Sequence, residues 1–207
     1  MPGTLLPLEI LDELTEMAGR IHDEVIGLDD SDLVFGNGMP AWGYIVEHSI
    51  DATVVGLAVG RRLLDEDALR QLATGLFLQD IGMLALPERI VQKPGPLGPD
   101  EWALTMKHPL LGLEFLRDDS VSGVARSIVR SHHERWDGSG YPGALVGDEI
   151  SLYARIAAVA DVFDAVTSER YHARAVPPAE GVEIVRAGSG SAFDPQVAQA
   201  FLDALAG

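Results

Sequence analysis

The chain has 207 residues, enough to bury one substantial core and too few for a second catalytic domain beside it. It contains no cysteine, which excludes disulfides, thiolate ligands and cysteine nucleophiles, so any metal chemistry rests on His, Asp and Glu. A formal net charge of −17 argues against a long nucleic acid as partner, because duplex phosphates are held by clustered Lys and Arg; a small anionic ligand at a metal centre is still compatible.

In chain order, residues 7–28 carry Leu8, Leu11, Leu14, Met17, Ala18, Ile21 and Val25 at helical spacing with acids between them. The pattern predicts an amphipathic helix that either packs on the main core or pairs two copies in a homodimer. Residues 29–40 are rich in Asp, Ser, Gly, Asn and Pro and read as a connecting loop. Helical patterns then cover 41–64, 67–83, 100–116, 120–133, 152–168, 178–186 and 195–206, with Pro/Gly loops at 94–99 and 138–147 and no strand alternation. The predicted fold class is all-α, a helical bundle over 41–207 preceded by the N-terminal helix and loop of 1–40. Apolar runs such as 52–60 fall short of the roughly 20 residues that span a bilayer, and the acidic N-terminus lacks the layout of a signal peptide. Both features suggest a soluble, cytoplasmic protein with no membrane partner.

Several polar residues fall on the apolar stripes of these helices. His48 lies three after Ile45 and four before Ala52; Asp80 lies four after Leu76; His133 lies four after Val129, with His132 beside it; Asp161 continues Ala154, Ala157 and Ala158. Any one of them alone is commonly a core residue satisfied by a neighbour. Together they would cost several kcal/mol to bury unpaired, and shared divalent ions satisfy them at once. His108 directly precedes Pro109, which suits the first turn of a new helix. His132 and His133 are about 100° apart on an ideal helix, so both reach one ion most readily near a terminus, which the glycine-rich turn after Glu134 supplies.

That turn carries a resemblance. The run His132-His133-Glu134-Arg135-Trp136-Asp137-Gly138-Ser139-Gly140-Tyr141-Pro142 closely resembles the signature of HD-GYP domains, a branch of the HD phosphohydrolases. Lys93-Pro94-Gly95, Asp100-Glu101, His108, Ala154-Arg155-Ile156, the run from Val159 to Ser168 and Phe193-Asp194-Pro195 look like further landmarks in family order, so the likeness covers about 41–205. The resemblance implies an HD-type helical bundle and a pair of divalent transition metals, iron, manganese or zinc, that activate water against a phosphodiester, typically cyclic di-GMP. It further implies a first metal position drawing on His48, position 79, Asp80 and Asp161, with Asp80 bridging at the catalytic centre to a second ion held by His108, His132 and His133. Tyr141 and Pro142 would offer an aromatic face and a rigid turn to guanine or ribose, and Arg170 would meet phosphate.

The departures are as informative. Leu78-Gln79-Asp80-Ile81-Gly82-Met83 stands where the family has His-Asp-Ile-Gly-Lys, so a metal ligand has become Gln79 and a phosphate-facing lysine has become Met83. Tyr171-His172-Ala173 replaces a run that usually ends in a cation, so Ala173 removes another. Tyr44 occupies the position of the glutamate of some three-metal members, and Asp51 stands where arginine is common. An amide is a weaker ligand than imidazole for a transition metal, so the first position is expected to be weakened, with one ion or substoichiometric metal and slow or absent turnover. Three readings follow: a cyclic di-GMP phosphodiesterase that tolerates Gln79; a non-catalytic module that binds a cyclic dinucleotide or a signalling-protein partner; and a phosphohydrolase of another phosphoester working through a single ion.

Overall fold

The computed structural model describes Arg20 and residues 41–116, 121–169 and 174–206. The expected helix and loop of 1–40 lie outside the described residues except for Arg20, as do Arg170 and Ala173, and the side chain of Tyr44 is likewise not described.

The chain from Ala41 to Gly60 forms α1, buried on nearly every side over its second half, with Ala52, Leu57 and Val59 inaccessible. A helix apolar all round belongs at the centre of a bundle. It packs against α2 (Glu66–Leu78) and α7 (Leu152–Thr167), and the alanines of α7 (Ala154, Ala157, Ala160) let the two backbones come close. Next to this pair lie α6 (Gly123–Ser131), α8 (Pro178–Gly188) and α9 (Pro195–Ala206). Phe163 and Phe201 meet in this core edge to face, ring centroids 5.0 Å apart. Side chains of Asp65, Ser122 and Ser151 accept the amides of Ala68, Ala125 and Ala154, capping α2, α6 and α7, each cap worth about 1 kcal/mol. Among the described residues there is no strand, only the isolated bridges Asp137–Val146 and Ser189–Phe193, and no helix is long and apolar enough to cross a membrane.

Two predicted helices are broken, and both breaks fall at the site. The helix expected over 67–83 stops at Leu78, Asp80 sits outside it at φ −97°, ψ 11°, and the chain continues as a 3-10 turn over Ile81–Ala85. The placement of Asp80 on a continuous helix is therefore corrected. The reason is tertiary: a Cβ at Gly82 would lie 1.9 Å from the carbonyl oxygen of His108 and 2.5 Å from the amide nitrogen of Gly112, so the turn is pressed backbone to backbone on the next helix. The helix expected over 100–116 divides into α4 (Pro99–Thr105) and α5 (His108–Phe115), with Pro109 in the first turn of α5 as its sequence predicts. A short α3 (Glu88–Val91) and a 3-10 turn (Gly147–Glu149) occupy stretches with no predicted element.

Candidate metal centre

The site is built where α1, the end of α2, the start of α5, the end of α6 and the middle of α7 converge. His48 comes from α1 and is buried. Its Nδ1 lies 2.5 Å from Asp164 Oδ2, and Asp164 also accepts the Ser168 hydroxyl at 2.8 Å. The carboxylate holds an imidazole proton on Nδ1 and turns Nε2 inward. That Nε2 faces Asp161 Oδ1 at 2.9 Å, Asp80 Oδ2 at 3.3 Å and the amide nitrogen of Gln79 at 3.4 Å.

The other half is arranged in the same way by backbone carbonyls. His108 directs Nδ1 to Thr105 O at 2.8 Å and His132 directs Nδ1 to Ile128 O at 3.1 Å, which leaves their Nε2 atoms bare and 3.2 Å apart. Asp80 Oδ1 stands 3.1 Å from the first and 3.7 Å from the second, and the His133 ring closes the group with its centroid 4.1 Å from that of His132. Two bare lone pairs face to face need a cation or a shared proton between them. The donor set therefore fits divalent metal: Asp80, His108, His132 and His133 form one cluster and His48, Asp80 and Asp161 another, with Asp80 in both.

The protonation pattern agrees. Burial pushes the Asp80 carboxyl up, but hydrogen bonds from His108, His132 and His48 outweigh it and hold the group well below its usual range. Asp161 is likewise lowered, burial being overcome by His48 and the charge of His133. Burial lowers His132, yet the bond and charge of Asp80, with Asp161 and the Ile128 carbonyl, raise it above the ordinary imidazole value. His133, buried beside the charges of His132 and His108, is pushed down to about 3. The metal-free cluster thus keeps its carboxylates ionised and offsets them with a proton that a divalent ion would displace.

The glycine-rich turn sets the rim. A Cβ at Gly140 would lie 2.3 Å from the Arg135 amide and 2.6 Å from the His133 carbonyl, so the turn folds directly onto the segment that carries His132 and His133. Tyr141 stacks on His133 with centroids 4.8 Å apart; burial and the charges of Asp161 and Asp80 raise its phenol, keeping the proton on. Pro142 follows in the turn and lines neither of the clefts described below. Arg155 of α7 braces the outside, bonding Ile150 O and Asp194 Oδ2 at 2.7 Å each beneath Trp136.

Glu134 is buried, and its carboxylate accepts the amides of Gly143 at 2.5 Å and Leu145 at 3.1 Å. Replacing it with alanine leaves two turn amides unpaired, a loss of about 2 to 3 kcal/mol. Thermal denaturation of Glu134→Ala should accordingly show a melting point lower by about 5 to 10 °C, with Glu134→Gln in between. A melt indistinguishable from wild type would show that the turn does not depend on this carboxylate.

A cleft of about 160 Å³ opens over the cluster, walled by Ile45, Met83, Ile90, Val91, Leu97 and Trp102. A second, of about 460 Å³, shares Trp102, His133, Tyr141 and Asp161 with the first. No Lys or Arg lines the first cleft among the described residues, and Met83 packs against Ile45, Leu86 and Val91. The structure brings together every described residue predicted as a ligand. Three contributors were not singled out from the sequence: Asp164, Glu134 and Trp102, the last 51% exposed at the mouth of both clefts. Asp164 carried a signal, standing three after Asp161 on one helix face.

Helices that gather four imidazoles with Asp80 and Asp161 form a His/Asp cluster of the kind that could hold metal. The HD domain family matches residues 46–197, and the chain belongs to that family, to its HD-GYP type. A cyclic di-GMP phosphodiesterase of Pseudomonas aeruginosa is 38% identical over 164 residues, 78% of this chain and 39% of that protein. A 3'3'-cGAMP-specific phosphodiesterase of Vibrio cholerae is 40% identical over 128 residues, 61% of this chain and 24% of that protein. The chain thus spans well under half the length of these relatives. The solved HDG"Y"P protein Bd1817 from Bdellovibrio bacteriovorus has the same fold, with a TM-score of 0.67 at 20% identity over 95% of this chain and 62% of its own.

Proposed function

We propose that this chain is a metal-dependent phosphohydrolase domain of cyclic dinucleotide signalling in which turnover of cyclic di-GMP is slow. The observation that carries the reading is Asp80, one carboxylate shared by two convergent donor sets. Iron, manganese or zinc suits the imidazole-rich set, held by Asp80, His108, His132 and His133. His48, Asp80 and Asp161 form the weaker position beside Gln79. A pair of divalent ions, when bound, acidifies water and spreads the charge that develops at phosphorus. The protein's own part is to hold: Asp164 keeps Nε2 of His48 aimed inward, and Tyr141 and Trp102 offer faces on which a base stacks, each worth about 1 to 3 kcal/mol. In the same reading Arg170 meets a phosphate, the apolar stripe of 7–28 packs on the core or pairs two copies, and a signalling-protein partner in the cytoplasm docks on the Gly-Tyr-Pro turn.

One observation favours a binding module over an enzyme. The wall where the family motif has a lysine is apolar here, from Ile45 through Met83 to Val91. Losing one such charge contact costs on the order of 10²-fold in rate. Steady-state hydrolysis of cyclic di-GMP and 3'3'-cGAMP with added manganese should therefore fall far below roughly 1 per second, a common enzyme rate, while calorimetry still detects binding. Turnover at that rate or faster refutes the slow-enzyme reading, and the absence of both binding and turnover refutes the cyclic-dinucleotide reading as a whole.

A further inference from the structure

Gln79 is inaccessible to solvent, and its Oε1 is the one buried side-chain oxygen or nitrogen among the described residues with no hydrogen-bond partner. Leaving a carbonyl buried and unpaired is unfavourable and calls for a missing partner. The other end of the same amide touches the cluster, with Nε2 3.4 Å from His48 Nε2. His48 Nε2 also faces the carboxylates of Asp161 at 2.9 Å and Asp80 at 3.3 Å, and without a cation the N–H end of the amide is the one turned toward this group. A cation among His48 Nε2, Asp80 and Asp161 displaces a proton held there and attracts the oxygen end of the amide instead. The two ends of an amide are nearly isosteric, so a half-turn of the terminal group brings Oε1 to the ion and relieves the orphaned carbonyl.

We propose that Gln79 is itself a ligand, and that it makes the first position an oxygen-rich site selective for manganese. Resting on the metal-centre reading above, the inference assigns the two positions different metals. The first then offers one imidazole nitrogen against oxygens from Asp80, Asp161 and Gln79, a set that suits manganese. The second offers three imidazoles and one carboxylate, a set that suits zinc or iron. The change from imidazole to amide thus redirects the first position to a harder ion.

Metal-free protein is first loaded with zinc to fill the three-histidine position, then titrated with manganese, with free manganese read by electron paramagnetic resonance and zinc by elemental analysis. Wild type is expected to hold one zinc and then one manganese per chain. Gln79→Leu should weaken manganese by at least about tenfold, the scale of losses around a metal site, while zinc content stays at the wild-type level and reports the fold. Gln79→Glu keeps the oxygen, adds a charge and should tighten manganese, whereas Gln79→His should draw a second zinc. Manganese affinity unchanged in Gln79→Leu overturns the proposal, as does Gln79→Glu binding no more tightly than wild type if the leucine variant has lost its zinc. Wild type that takes up neither metal overturns the metal-centre reading, a different result from either of these.

Discussion

Asp80→Asn is expected to empty both metal positions at once. Asp80 is the one group common to both donor sets, with Oδ1 toward His108 and His132 and Oδ2 toward His48. Asparagine keeps the shape but loses the charge and offers one oxygen in place of two. The loss in affinity should exceed the roughly 10 to 100-fold seen when a group merely supporting a ligand is removed. Stability provides a readout independent of turnover. An ion present at 100 times its dissociation constant stabilises the folded state by about 2.7 kcal/mol, which raises the melting point of a chain of this size by about 5 to 11 °C. Wild type should show that rise on adding metal, Asp80→Asn should show none, and His133→Ala should keep the part due to the His48 position. If Asp80→Asn still binds two ions per chain, the bridging role assigned to this carboxylate is wrong.

The residues legible from sequence were those whose environment is fixed locally. Pro109 marks the helix start that puts His108 at a break, and the glycines after Glu134 mark the terminus that lets His132 and His133 turn to one centre. What was not legible depends on distant contacts. The spacing of Ala73, Leu76 and Asp80 suits an unbroken helix, and only the approach of α5 to Gly82 explains why α2 ends at Leu78 and frees Asp80 to face two histidine groups. Asp164 and Glu134 are acids whose burial is offset by partners far along the chain or across a turn: a histidine 116 residues away for the first, two loop amides for the second. Met83 was readable as a lost cation, yet the apolar wall it joins, from Ile45 to Val91, appears only when the segments are assembled. Gln79 was readable as a weakened ligand; its unpaired Oε1 beside His48 is a property of the folded site.

The second large effect is a gain. Gln79→His restores an imidazole beside His48, Asp80 and Asp161, and Met83→Lys places an ammonium in a cleft wall whose apolar residues can cover its stem while the head reaches the phosphates. The lysine offsets charge that develops only once water is activated, so Met83→Lys alone should change hydrolysis little. Gln79→His alone should raise zinc content toward two per chain with a modest gain in rate. Together they should increase cyclic di-GMP hydrolysis by on the order of 10²-fold beyond the histidine variant, the scale of one preorganised charge contact. The excess over the product of the single effects is a coupling between adjacent sites, which a double-mutant cycle measures directly. A double variant that folds, holds two ions and cleaves neither cyclic di-GMP nor 3'3'-cGAMP would show that Gln79 and Met83 are not what limits the chemistry, and the apolar cleft would then be the surface of a protein that binds its ligand or partner without turning it over.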